Sequence, residues 1–499
     1  MHPRLVLALV VGLLSAADSV AAQQTRRARR PAARRVTPPP RNDAARADRI
    51  EQSLLPATRV AGRDYAPSTI AQRMRELNVP AVSVAVIDSG QIVWARAYGM
   101  RDVESQEPAT PRTMFQAASM SKPIASTMAL LLVQDGTLSL DKPVNARLLG
   151  WTLAENAFTA ARPVTLRHLL THTGGVTVHG FAGYARGRPV PTTIQVLEGA
   201  SPANSRPVRV DTTPGAIWRY SGGGMTVMQQ LIGDVTGEEF APLLRQRVLE
   251  PLQMTSSTFE QPLPDSRAND AATGYRPDGS AVPGRYHTYP EMAAAGLWTT
   301  PSDLARWIID VQRSLRGEKG RLLAPAMAHA MVTRGLGGWG LGVSVEGARD
   351  SLRFSHGGAN EGFRGQFVGY VTRGSGVVVM TNSDAGMPLV REIAIAVAKE
   401  YGLPGITPRV IMPVALGDED RTALLGSYRS RGGVTGEIVL ANESLWLSRS
   451  GSAQRWELIP IANDRLEAVD GPIVQIERDN QRRVRALVIG GDRFERTRR

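Results

Sequence analysis

Apolar positions along this chain fall into three regimes. Residues 81–99, AVSVAVIDSGQIVWARAYG, form two β-rich runs on either side of Asp88-Ser89-Gly90 and predict a hairpin. A middle stretch follows helical spacing near 122–134, 165–171, 223–235 and 238–249. Strand-like runs return at 341–346, 363–371 and 376–381, and a helix follows over 388–401. Strands at both ends of a helical middle predict an α/β body over 50–403, one sheet with an inserted α-helical region. Leu403-Pro404-Gly405 breaks the pattern. Beyond it, over 412–499, runs such as EIVLANESLWL and RVRALVI are short and separated by turn residues, which predicts a small all-β domain of meander or barrel type.

The N-terminus follows another pattern. Arg4, the apolar run Leu5 to Ala17 and the small residues Val20, Ala21 and Ala22 predict a signal peptide over 1–22 and hence export to the periplasm or beyond. No other apolar run is long enough for a transmembrane helix. Residues 23–49 are rich in Arg, Ala and Pro and nearly devoid of large apolar side chains, so they read as a basic, disordered linker.

Charge narrows the partner class. The 499 residues carry a formal net charge of +13. Residues 25–49 hold +7 of it and residues 481–499 hold +5, which leaves +1 between 50 and 480. A nucleic-acid-binding domain needs a basic face on its body, so nucleic acid is not the expected partner. The two basic tails fit weak contact with peptidoglycan or another anionic envelope polymer. The chain has no Cys, which excludes disulfides, thiolate nucleophiles and Cys-ligated metals.

Three segments carry candidate chemistry. Ser119-Met120-Ser121-Lys122 is an S-x-x-K at the start of a predicted helix, and Lys122 is one of only four Lys. That spacing puts Ser119 at the helix N-terminus with Lys122 one turn on, on the same face. A free Lys is protonated at neutral pH; burial near a helix N-terminus favours its neutral, basic form. Pro214 to Gly224 places Tyr220 on a loop before a glycine cluster, where its phenol can relay protons if cations lower its pKa. In Phe354-Ser355-His356-Gly357-Gly358-Ala359, the glycines allow close approach to a strand, with His356 lining the cleft. No G-x-S-x-G or H-E-x-x-H occurs, and a metal site from His168, His172 and His179 lacks any accompanying carboxylate.

Together the three segments resemble the serine β-lactamase and penicillin-binding peptidase superfamily, specifically its class C branch of D-Ala carboxypeptidases, D-aminopeptidases and esterases. The linking stretches VTLRHLLTHTGG and AAAGLWTTPSDLARW resemble the same family, over about 65–400. The resemblance implies an antiparallel sheet flanked by helices, a lipocalin-like C-terminal domain, and no cofactor or metal. It implies Ser119 as nucleophile, Lys122 and Tyr220 sharing base and acid work, and backbone N–H groups of Ser119 and Ala359 as the oxyanion hole. It leaves His356, Gly357, Gly358 and Gly222 as substrate-binding positions and His168 and His172 as packing residues. Gly222 stands where class C enzymes carry Asn, and His356 where lactamases carry Lys. These losses favour esters, D-amino-acid peptides or similar amides over β-lactams. A β-lactamase, a D-Ala carboxypeptidase and a catalytically weak cell-wall sensor are the competing expectations.

Overall fold

The computed structural model describes residues 42–451 and 455–497. The expected signal segment 1–22, and residues 23–41 of the expected linker, lie outside the described residues.

The folded body starts earlier than residue 50. Helix α1, Asp43–Glu51, covers the end of the segment read as a disordered linker. Two small footholds hold it, buried Ala47 and Ile50. Charge does the rest: Arg49 reaches Glu400 at 2.5 Å, and Arg96 reaches Asp48 at 2.7 Å and Glu51 at 2.6 Å. Composition overlooked this because the stabilising partners lie far along the chain.

The main sheet has seven strands: β1 Ala81–Asp88, β2 Gln91–Asp102, β3 Glu107–Pro108, β4 Ser344–Glu346, β5 Arg353–Asn360, β6 Phe363–Tyr370 and β7 Gly376–Thr381. Their spatial order is β3-β2-β1-β7-β6-β5-β4, all antiparallel, so strands from both ends of the domain meet at β1–β7. β1 is buried on both faces. Val82, Val84 and Val86 pack with helix α6, Met387–Tyr401, while Ala81, Ala85 and Ile87 belong to the larger core on the other side. Burial on two sides explains why its sequence reads as a continuous apolar run rather than alternating.

The helical insertion contributes α2 Ser121–Gln134, α3 Gly222–Thr236, α4 Met292–Ala295 and α5 Pro301–Leu315. α2 is apolar nearly all round and buried from Ser121 to Leu132. α5 starts where the Thr300 hydroxyl accepts from the Asp303 N–H, with Pro301 at the first helical position. Its Trp307 meets Phe354 and Phe367 edge-on and donates its indole N–H to Thr127 of α2 at 3.0 Å. That locks α2, and the turn before it, against the sheet.

Past Leu403 the chain forms a closed eight-stranded antiparallel barrel, Gly426–Ser430 through Asp492–Arg496, each strand pairing with the next and the last with the first. Tyr428, Leu447, Leu466, Leu487 and Phe494 fill its interior. The Arg-rich C-terminus, read above as a basic tail, is a structural part of this barrel. Arg483 pairs with Asp479, Arg493 with Glu477 and Glu495, and Arg496 donates to the carbonyls of Ala423 and Leu425. Strand Thr58–Val60 pairs in parallel with Arg409–Ile411, and Val60, Ile411 and barrel residue Ile459 form a small apolar cluster. Arg63 to Glu457 and Thr58 to Asp470 bond across the same contact. Among the described residues no helix is long and apolar enough to cross a membrane.

Candidate active site

Ser119 sits in a one-turn 3-10 helix, Ala118–Met120, between strand Phe115–Gln116 and α2. Ala118 just before it has φ +50°, a left-handed conformation that costs a non-glycine residue of order 1 kcal/mol. Bonds on both sides hold the turn. Ser121 donates its hydroxyl to Ala118 O and accepts from Leu297 N–H at 2.9 Å, while Ala117 N–H donates to Leu297 O.

Lys122 lies one turn on and is buried. Its Nζ donates to Ser119 Oγ at 2.9 Å and to the Ala294 carbonyl, on α4, at 2.7 Å. Burial lowers its pKa to about 7. Near neutral pH a large share of Lys122 is therefore an uncharged amine facing the serine hydroxyl, which is what a general base requires.

Lys122 Nζ stands 4.9 Å from the Tyr220 ring centre. The condition set for a lowered phenol pKa is not met. Burial raises it, and the nearby Ser119 side chain opposes that only in part. Tyr220 is thus a neutral phenol, able to pass a proton on but unsuited to being the resting base. Its ring is enclosed by His172 at 4.4 Å, His179 at 5.0 Å, Trp339 at 5.7 Å and His356 at 6.1 Å, centre to centre. His172, read above as a packing residue, packs directly on the Tyr220 ring and so lies at the site.

The glycine cluster after Tyr220 answers to crowding. Gly222 and Gly223 open α3, and their N–H groups donate to His179 O and Val178 O. A Cβ on Gly222 would lie 3.1 Å from His179 O and from the Phe181 ring, and one on Gly223 would lie 2.6 Å from Thr177 O. The loop carrying His179 and Phe181 thus presses on the position where class C relatives place an Asn.

On β5, Gly358 lies against the nucleophile turn: a Cβ there would come 2.3 Å from Ala117 O. Gly357 and Ala359 flank it and are exposed. His356 is buried, its Nδ1 2.7 Å from Gly357 O. Burial, then the nearby Lys122, push its pKa to about 3, so it supplies no positive charge in place of the family's Lys. Next along β5, Asn360 donates to Gln116 and to the Ala295 carbonyl, tying the strand to the turn and to α4.

His168 stands apart, its Nδ1 accepting from Thr165 N–H as part of a helix cap. Among the described residues no group of three His, Asp or Glu is placed to hold a metal ion. Sequence reasoning did not single out Trp339, whose ring meets Tyr220, or Asn360, which ties β5 to Gln116 and α4. Glu291 is buried with both carboxylate oxygens unpartnered, and burial raises its pKa to about 7. Trp339 stands in the glycine-rich run GLGGWGLG, a signal visible in the sequence.

An antiparallel sheet, a buried helix and a Ser-x-x-Lys turn where they meet define the serine β-lactamase and penicillin-binding protein class of fold. The Beta-lactamase family model matches residues 67–401, well over half the chain, and the chain belongs to that family. It is 25% identical over 256 residues to Protein flp of Staphylococcus aureus (strain MW2), covering 48% of this chain and 47% of that protein. It thus spans about half the length of these curated relatives. It is 28% identical over 311 residues to esterase EstB of Burkholderia gladioli, covering 54% of this chain and 76% of that one. Among solved structures, the octameric penicillin-binding protein homologue from Pyrococcus abyssi superposes with a TM-score of 0.59 at 24% identity, over 85% of this chain and 98% of that one. A likeness at that identity shows the fold.

Proposed function

We propose that this protein is a serine hydrolase working through an acyl-enzyme on Ser119, with neutral esters or short amides, D-amino-acid peptides among them, as substrates. One observation carries the reading: the Lys122 amine lies 2.9 Å from Ser119 Oγ, with its pKa brought by burial to about 7. Neutral Lys122 takes the Ser119 proton as Oγ bonds to the acyl carbon. The proton returns, with Tyr220 as relay, to the alcohol or amine that leaves. Water then adds to the acyl-enzyme, releasing the acid and restoring Ser119. The N–H groups of Ser119 and Ala359 are the proposed oxyanion donors, each worth about 3 kcal/mol in such sites. Neutral His356 and Gly222 offer neither a cation nor an amide to hold a substrate carboxylate or acylamide, which favours an ester over a β-lactam. The similarity to an esterase supports the same choice. Export through residues 1–22, and envelope contact through the basic segment after them, belong to this proposal.

Purified protein would be treated with a fluorophosphonate and with a p-nitrophenyl ester. Labelling at Ser119, and turnover that falls at least about 10³-fold in Ser119→Ala, are expected. Turnover that survives in Ser119→Ala would overturn the mechanism. Nitrocefin hydrolysis faster than ester hydrolysis would make the protein a β-lactamase. A stable penicillin adduct without turnover would make it a sensor.

A further inference from the structure

Three ring nitrogens on side chains that touch Tyr220 have no hydrogen-bond partner in the protein although solvent does not reach them: His172 Nε2, His356 Nε2 and Trp339 Nε1; a fourth, Trp218 Nε1, lies one ring further out, against Trp339. A buried polar atom left in that state costs about 1–3 kcal/mol, so three in one cluster call for an explanation. The other nitrogen of each imidazole fixes what these atoms offer. His172 Nδ1 accepts from Ser221 N–H at 3.3 Å, so in the neutral ring Nε2 carries the proton and is a donor. His356 Nδ1 stands 2.7 Å from Gly357 O, a carbonyl that can only accept, so Nδ1 carries the proton and Nε2 is an acceptor. The Trp339 indole is a donor only. The Trp339 ring centre is 5.1 Å from that of His172 and 5.4 Å from that of His356.

We propose that His172, His356 and Trp339 bind one internal water molecule beside Tyr220, and that these three are positioning residues for that tyrosine. Two N–H donors and one lone pair match the two lone pairs and one of the two protons of a water. The second water proton is left for Tyr220. A cation would meet two N–H groups and an anion would meet the His356 lone pair, so the mixed set selects water over a monatomic ion. The tilted contact of His172 on Tyr220 then becomes a hydrogen-bonded brace that fixes the phenol relative to Ser119.

The kinetic arm of the test rests on the hydrolase reading, whereas the spectroscopic arm does not. The full chain has seven His, few enough for selective 15N-histidine labelling. The expected spectrum shows His172 protonated at Nε2 and His356 at Nδ1, assigned through His172→Gln and His356→Gln. The opposite tautomer at either residue removes the complementary set and overturns the proposal. In ester turnover, His172→Leu and His356→Leu should lower kcat about tenfold with KM within about twofold, the size of one lost hydrogen bond. Each Gln variant, which can restore the donor or the acceptor, should recover most of that loss. Leu variants with unchanged kcat, or Gln variants as slow as Leu, would refute the positioning role. A wild-type protein without turnover would strike down the hydrolase reading and leave the tautomers to decide the water site.

Discussion

At the scale of single residues, Lys122 ties function to a cost in stability. A lysine whose folded pKa lies near 7 is disfavoured by folding wherever it is charged in both states. That cost is full below pH 7 and fades as pH rises toward the unfolded value near 10.5. Lys122→Met should therefore abolish turnover and stabilise the protein by about 3 kcal/mol at pH 6, and by less at pH 9. Denaturant unfolding at the two pH values checks this, and equal effects at both would contradict the burial account. In the active enzyme, kcat/KM should fall tenfold per pH unit below about 7, as Lys122 gains its proton. A profile flat from pH 8 to 5 would assign the base to another group. The Ser119–Lys122 pair was legible in the sequence because a three-residue separation at a helix start alone sets it. Trp339 was not, since its closeness to His172 and His356 depends on how the glycine-rich loop folds back against Trp218 and α2.

At the scale of elements, close approach of backbones sets where the nucleophile stands. β5 passes so near the Ser119 turn that Gly358 has no room for a methyl group. Gly358→Ala should shift the strand from the turn, destabilise the protein by about 1–3 kcal/mol and cut kcat on the order of 10²-fold. Comparing thermal melts with ester turnover tests it, and a variant with full kcat would detach Gly358 from the site. The hairpin of β1 and β2 was readable from two β-rich runs around Asp88-Ser89-Gly90, and Ser89, at φ +52°, fits a tight turn. The run over 341–346 gave a strand of only three residues, Ser344–Glu346, at the sheet edge. Strand length at an edge depends on pairing, which no single run of sequence encodes.

At the scale of the molecule, the barrel is fastened to the body by a contact local pattern does not reveal. Val60, Ile411 and Ile459 come from three distant segments. Ile459→Asp should put an unpaired charge into that cluster, lower the melting temperature by several degrees and split the calorimetric transition. Ester turnover at 25 °C should stay within about twofold, since none of the three residues meets the Ser119 site. A single unshifted endotherm would show that the contact does not couple the two parts.

Exclusion of water lowers the pKa of Lys122, the base of the proposed mechanism, with no carboxylate holding it. Burial of Lys122 is complete before any substrate arrives, so the protonation state of its amine is a property of the free protein. The chain carries its base ready-made, and substrates of different size and hydration should share one acid limb in kcat/KM.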